Sequence, residues 1–335
     1  MQKTRVLCLG LGPIGLRAAA LAMRKDSLEI VAAVDIDPEK AGKELDLLLE
    51  REGLEGSSGI VVEADAADAL ARSGPQIVIH STSSFLPEVL EQILMVLEAG
   101  ANLISSTEEL LWPRHRHPRL SDRLDEAARR SGVTVLGTGV NPGFVMDSLA
   151  AFATATCHAV DKVICRRVVD AGDRRMPFQE KIGAGMEEAG FRELAAAGRL
   201  GHVGLLESIA LLGEACGFEL DDVRQTTDPV LADRPLRTRH LSIQPGQVAG
   251  IHNRGSGSQG GTALIEMDLR MYVGAESPFD EVQILGEPRL QIRVPGGTSG
   301  DLATAAMLVN GIPGVVRASP GLKTMLELPL PTLIR

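Results

Sequence analysis

A short apolar run, Val6 to Leu9, leads directly into Gly10-Leu11-Gly12-Pro13-Ile14-Gly15, and a second apolar run, Ile30 to Val34, ends on Asp35. No other feature constrains the fold of this chain as tightly. The first run, closed by a glycine, suits a buried parallel strand. Gly10 permits a tight turn. Gly12 lets the backbone approach a pyrophosphate, and Gly15 lets the next helix pack closely on the strand. A helix expected from Ile14 to about Arg24 turns its free N–H groups and positive dipole end toward the phosphates. Asp35 follows the last glycine by about 20 residues, where a carboxylate accepts from ribose hydroxyls and repels a 2′-phosphate. Gly10, Gly12, Pro13, Ile14, Gly15 and Asp35 are therefore the expected cofactor residues. The acid favours NAD(H). Arg5 and Lys40 are basic neighbours in the sequence, so NADP(H) stays open.

The remaining composition narrows the class. A length of 335 residues accommodates two domains and a large core. Aromatic residues make up only 3% of the chain, with one Trp and one Tyr, so stacking platforms for single-stranded nucleic acid are nearly absent. A formal net charge of −10 also argues against a phosphate-backbone partner. No apolar run approaches a membrane span, and the first residues lack a signal-peptide pattern. Cys8, Cys157, Cys165 and Cys216 are scattered and read as thiols in a reducing compartment. The expectation is a cytoplasmic enzyme with no nucleic-acid or membrane partner.

The first half alternates strand and helix. Strands are expected at Gly59–Val62, Gln76–His80, Asn102–Ser105 and Val133–Leu136. Helices are expected at Glu39–Arg51, Ala66–Ala71, Leu86–Ala99 and Leu120–Arg130, with Gly100 as a C-terminal cap and Gly132 following the last of them. Such alternation predicts an α/β, Rossmann-type doubly wound parallel sheet. Ligands of such sheets lie beyond the carboxyl ends of the strands. The polar loops Ser81-Thr82-Ser83-Ser84, Ser106-Thr107-Glu108-Glu109 and Gly137 to Phe144 follow three of those ends. Ser81, Thr82, Ser83, Asn141, Pro142 and Gly143 are thus further expected cofactor residues.

The pattern then changes. Residues 173–217 read as mostly helical. Strand-like stretches span Val163–Val169, Arg237–Ala249, Ala263–Val273 and Val282–Val294, and Gly255 to Gly261 reads as a flexible hairpin loop or lid. These predict a second α+β domain on a mixed, mostly antiparallel sheet. The expected division is residues 1–147 plus about 300–335 for the dinucleotide and 148–299 for substrate binding and oligomerisation. The long strands favour a homodimer.

Glu108 and Glu109 are the acid/base candidates. A partly buried carboxylate there could exchange protons with an amine or ammonia and hold a cationic iminium. The plainer reading leaves both solvated at the start of a helix or loop, where acids are favoured. Phe144, in a chain so poor in aromatics, is a candidate for an apolar pocket or a core position. His202 is a substrate contact or a structural histidine. Arg166, Arg167, Arg174 and Arg175 read as surface-paired cations with an option on an anionic group. His115 and His117, flanked by arginines, read as a solvated loop. No residue spacing supports a metal. GxSxG, GxxxxGK[ST] and HExxH patterns are absent. Hydride transfer, supplied by a cofactor, is the chemistry that remains.

These motifs carry a resemblance. The nucleotide fingerprint, Ser106-Thr107-Glu108-Glu109-Leu110, Gly137-Thr138-Gly139-Val140-Asn141-Pro142-Gly143-Phe144 and His202 to Ser208 contribute. Gly300-Asp301-Leu302-Ala303-Thr304-Ala305-Ala306, with Asn310, Pro313 and Pro320-Gly321-Leu322, is the most specific stretch. Over nearly its whole length the chain resembles the 2,4-diaminopentanoate dehydrogenase family and related native amine dehydrogenases, a class similar in fold to dihydrodipicolinate reductase. The resemblance implies an NAD(P)-dependent oxidoreductase acting on CH–NH2 groups. It would aminate a ketone or aldehyde reductively with ammonia, or deaminate an amine such as 2,4-diaminopentanoate oxidatively. It also implies that a glutamate of the Ser106–Glu109 loop is the acid/base, with Glu108 first and Glu109 second. Ser299 stands where the family often carries a histidine before Gly-Asp, which opens the substrate to simple ketones and aldehydes. Two other readings remain: an imine reductase that needs no ammonia, and a non-catalytic NAD-binding sensor.

Overall fold

A computed structural model describes residues 3–335. The chain divides into two compact units, Met1–Gly143 with Ser299–Arg335, and Phe144–Thr298. The second unit begins at Phe144, a few residues before the boundary expected at 148.

In the first segment the elements run β1 (Thr4–Leu9), α1 (Pro13–Met23), β2 (Leu28–Val34), α2 (Leu45–Arg51), α3 (Ala66–Ser73), β3 (Ile77–His80), α4 (Leu86–Glu98), β4 (Asn102–Ser105), a 3₁₀ turn (Glu108–Leu111), α5 (Pro118–Ser131) and β5 (Thr134–Gly137). Two expectations fail here. The helix expected over 39–51 begins only at Leu45, because residues 38–42 form turns. The strand expected over 59–62 shrinks to isolated bridges, Val34 with Glu63 and Glu44 with Val61. Asp46 explains part of that loss. Its carboxylate accepts from the Ser58 and Gly59 N–H groups, so backbone donors are drawn away from a ladder.

The second unit runs α6 (Ser148–Thr154), β6 (Ala159–Asp170), α7 (Met176–Lys181), α8 (Glu188–Ala196), α9 (Leu205–Cys216), β7 (Asp222–Leu231), β8 (Leu236–Arg237), β9 (Ser242–Ile243), β10 (Val248–Gln259), β11 (Thr262–Tyr272), β12 (Phe279–Glu287) and β13 (Leu290–Pro295). Its main sheet has the order β13-β12-β6-β11-β10-β7. Only β11 and β6 pair in parallel; the other neighbours are antiparallel. The mixed, mostly antiparallel sheet is therefore present.

Three details depart from the sequence reading. The stretch 237–249 forms the small β8–β9 ribbon, not one long strand. β7 was not expected; it is an edge strand carrying charges and Pro229, the composition that edges tolerate. The flexible hairpin loop or lid expected at 255–261 does close a hairpin between β10 and β11, but most of it is strand: β10 runs through Gly255, Gly257 and Gln259, and only Gly260 and Gly261 turn. The two in-strand glycines have a packing reason. A Cβ on Gly255 would lie 2.7 Å from the Ile209 side chain, and one on Gly257 would lie 2.7 Å from Leu220. Helix α9 thus packs against bare backbone.

The chain then returns to the first unit as α10 (Gly300–Arg317) and β14 (Gly321–Lys323). α10 packs on α1, and β14 adds a strand beside β5 that the sequence does not signal. The completed sheet has the order β14-β5-β4-β3-β1-β2, all parallel. Side chains alternate across it. Leu7, Val78, Leu103 and Val135 share a core with α3, α4 and α5, including Leu70, Ile93, Leu97 and Leu124. Ile104 faces the other way, against Gly311 of α10. Burial on both faces is the normal setting of a parallel sheet, with its ligand crevice at the carboxyl edge.

Candidate active site

The glycine turn leaves β1 at that carboxyl edge. Gly10 has φ +87°, and a Cβ there would meet the Ser81 carbonyl and Thr82 Cγ2. A Cβ on Gly15 would run into the Gly10 carbonyl. Gly12 is different: a Cβ there would have nothing within 4 Å, and the residue caps α1 with no side-chain hydrogen bond. The N-terminus of α1, with Pro13 and Ile14 in its first turn, thus presents backbone donors to open space.

Asp35 follows β2 and is held firmly. Oδ2 accepts from the Leu11 N–H (2.8 Å) and from Lys40 Nζ (3.0 Å), and Oδ1 accepts from the Asp37 N–H (2.9 Å). Partial burial works against the charged form. The Asp37 N–H, Lys40 and the Leu11 N–H outweigh it and hold the carboxyl below its ordinary range.

The loops after β3 and β4 are stitched together. Ser106 N–H donates to the His80 carbonyl (3.0 Å), and Ser106 Oγ lies 3.3 Å from Ser81 Oγ. Thr107 Oγ1 donates to the Ser83 carbonyl (2.8 Å), and Glu109 N–H to the Ser84 carbonyl (3.2 Å). Ser83 Oγ also donates to Glu88.

The two glutamates differ. Glu109 is buried and fully engaged: Oε2 accepts from the Leu86 N–H (2.8 Å) and lies 2.9 Å from His117 Nε2, while Oε1 lies 2.9 Å from Arg116. It ties the 3₁₀ turn to α4 and to the 114–117 loop. That loop, read from sequence as solvated, supplies the partners of a buried carboxylate. Glu108 is half-buried.

After β5, the peptide Asn141–Pro142 is cis. The Val140 N–H donates to Thr304 Oγ1 of α10 at 3.3 Å. The Asn141 amide is buried, and neither Nδ2 nor Oδ1 has a hydrogen-bond partner among the described residues. A buried primary amide with both ends unmatched suits a ligand bearing its own donor and acceptor, such as a carboxamide. Together with the open α1 terminus and the engaged Asp35, these residues fit a nicotinamide dinucleotide. Among the described residues, no group of three or more His, Cys, Asp or Glu is arranged to hold a metal.

Phe144 and His202 belong to the second unit. Phe144 is half-buried, and its carbonyl accepts from Asp147 and Leu149 at the start of α6. The His202 Nε2 is shut from solvent and has no hydrogen-bond partner among the described residues. Burial, with the Lys181 and Arg167 cations, pushes its pKa down to about 3. Arg167 is not a surface cation: it is buried against Asp280 (2.8 Å) and the Thr298 carbonyl (2.7 Å). Arg166 pairs with Glu281, and Arg174 lies over the Phe178 ring. The sequence reading also passed over buried Asp147, which accepts from Ser208 Oγ at 2.7 Å. It missed His80 as well, buried at the end of β3. An imidazole among Ile77, Val78 and Ile79 was the available signal.

Comparison with known proteins follows the same lines. Residues 144–335 match the 2,4-diaminopentanoate dehydrogenase C-terminal domain. The chain is 32% identical over 344 residues to 2,4-diaminopentanoate dehydrogenase from Acetoanaerobium sticklandii, covering 100% of this chain and 96% of that protein. It is 23% identical to an amine dehydrogenase from Streptomyces virginiae, covering 96% and 95%. The structure of amine dehydrogenase from Mycobacterium smegmatis superposes with a TM-score of 0.86 at 28% identity, covering 98% of this chain and 97% of that one.

Proposed function

Because the chain belongs to the 2,4-diaminopentanoate dehydrogenase family, it is an NAD(P)-dependent oxidoreductase acting on amines, and we propose that it interconverts a small ketone or aldehyde and its primary amine, with Glu108 as the acid/base. The observation that carries the assignment is the contrast within the pair. Glu109 is closed off between Leu86, Arg116 and His117, whereas the Glu108 side chain is only half-buried, and that accessibility favours Glu108 as the group that meets a substrate.

In the amination direction, the Glu108 carboxylate takes a proton from ammonium, and the resulting ammonia adds to the substrate carbonyl. Glu108 returns that proton to the hydroxyl of the resulting carbinolamine, water leaves, and the regenerated carboxylate offsets the positive charge of the substrate iminium. When bound, the reduced nicotinamide supplies the hydride. The backbone amides at the α1 N-terminus would hold its phosphates, Asp35 its ribose, Ser81 to Ser83 its middle portion, and Asn141 its carboxamide. Phe144 and His202 are proposed for the substrate side. Asp35 favours NADH, and its pairing with Lys40 leaves room for NADPH. The proposed setting is a cytoplasmic homodimer.

The test follows NADH consumption across a panel of ketones and aldehydes, with and without ammonium. Amination requires ammonium for turnover. Oxidation of NADH by preformed cyclic imines without ammonium would identify an imine reductase instead. Tight NADH binding without turnover on any substrate would identify a sensor.

A further inference from the structure

We propose that His80 is a positioning residue: its imidazole joins the cofactor loop 81–84 to the turn that carries Glu108, so cofactor binding and proton transfer are set by two separable arms of one ring. The inference rests on the assignment of Glu108 above.

His80 ends β3 directly across from Ser105 of β4 and is completely buried. Both ring nitrogens are engaged. Nε2 lies 3.1 Å from Gln92 Oε1 of α4 and 2.9 Å from Thr82 Oγ1, and Thr82 Oγ1 itself donates to Gln92 Oε1 at 2.9 Å. Nδ1 lies 2.8 Å from Ser105 Oγ. The amide oxygen of Gln92 can only accept, which puts the ring hydrogen on Nε2. Nδ1 is then an acceptor, and the single Ser105 hydroxyl hydrogen is shared between it (2.8 Å) and Thr107 Oγ1 (3.0 Å), both on the path to the Glu108 turn. Ser105 Oγ in turn accepts from the Thr107 N–H (3.0 Å), and Thr107 directly precedes Glu108. Burial pushes the His80 pKa down to about 4, partly opposed by the Gln92 bond, so the ring stays neutral and this donor order persists at working pH.

Each arm reaches a different part of the site. Through Thr82 the Nε2 arm meets Gly10, since Thr82 Cγ2 occupies the space a Cβ at Gly10 would need. Through Ser105 and Thr107 the Nδ1 arm meets the Glu108 turn. A residue that merely filled the core would need neither arm. A fully satisfied buried polar network of this kind rigidifies the elements it joins.

Gln92→Met removes the acceptor of the Nε2 arm, and Ser105→Ala removes the donor of the Nδ1 arm. Neither residue is assigned to ligand contact. NADH dissociation constants come from fluorescence titration, and kcat from ammonium-dependent amination. The expected result is a split. Gln92→Met raises the NADH Kd about tenfold with kcat within about threefold, and Ser105→Ala lowers kcat about tenfold with Kd within about threefold. His80→Gln, which reproduces Nε2 and not Nδ1, should behave like Ser105→Ala. His80→Asn, which reproduces Nδ1, should behave like Gln92→Met. Equal losses of Kd and kcat in both arms, or a lower melting temperature with unchanged kinetics, would overturn the proposal. Glu108→Gln in parallel separates the two claims: if it keeps full turnover, the Glu108 assignment fails, whereas a dead Glu108→Gln beside unsplit arm variants removes only the role of His80.

Discussion

Lowering the pH should destabilise the first unit through His80 specifically. The ring is buried and its pKa lies near 4, against 6.5 for an ordinary histidine. Above pH 6.5 folded and unfolded chains both carry neutral imidazole, and the group adds no pH dependence. Between pH 6.5 and 4 the unfolded chain takes up a proton that the folded chain refuses. Stability therefore falls as pH falls, and the loss levels off once the folded ring also protonates. Over the full window the shift from 6.5 to about 4 corresponds to about 3 kcal/mol, most of it lost between pH 7.5 and 4.5. Urea unfolding of the wild type and of His80→Gln at those two pH values isolates the effect. The variant cannot take up this proton, so its acid loss should be smaller by about that amount. Carboxylates and His202 contribute equally to both proteins and cancel. Identical acid losses in the two proteins would refute the neutral, buried imidazole and the donor order built on it.

Other expectations follow from particular contacts. Asp35→Ala removes the acceptor of the Leu11 N–H and the partner of Lys40; the kcat/KM ratio of NADPH to NADH should rise at least about tenfold, and an unchanged ratio would remove Asp35 from ribose recognition. Glu109→Gln strips charge from a carboxylate held by Arg116, His117 and the Leu86 N–H; urea unfolding should show a loss of about 2–4 kcal/mol, with a smaller fall in kcat than Glu108→Gln causes. Gly257→Val forces a branched side chain into Leu220 and Ile209; a loss of about 1–3 kcal/mol or more is expected on thermal unfolding, whereas a free lid at 255–261 would leave the melting temperature unchanged.

Local signals read correctly because their causes are local. The turn from β1 to α1 needs glycine at Gly10 for its positive φ and at Gly15 for its close approach to the Gly10 carbonyl, causes that lie within the turn itself, and the sequence announces them. β14 is only three residues long and pairs with β5 from more than half the chain away, so nothing near Gly321 signals it. The stretch 255–261 looked like a lid because glycine and serine suggest flexibility. Gly255 and Gly257 instead answer to Leu205, Ile209 and Leu220, which approach from another element. Their spacing of two was the available clue. At the candidate site, the polar loop after β4 is legible in the sequence, but position alone does not rank Glu108 against Glu109. Their difference depends on Arg116, His117 and Leu86, which only the fold brings to Glu109.

The central claim is that Glu108 moves the proton. Its most direct test is single-turnover oxidation of bound NADH by ketone and saturating ammonium in the wild type and in Glu108→Gln, with NADH affinity measured on the same samples. The expected result is a rate lower by about 10²–10⁴ with an NADH Kd within about threefold of wild type. Turnover in Glu108→Gln within tenfold of wild type, at equal NADH occupancy, would contradict the account.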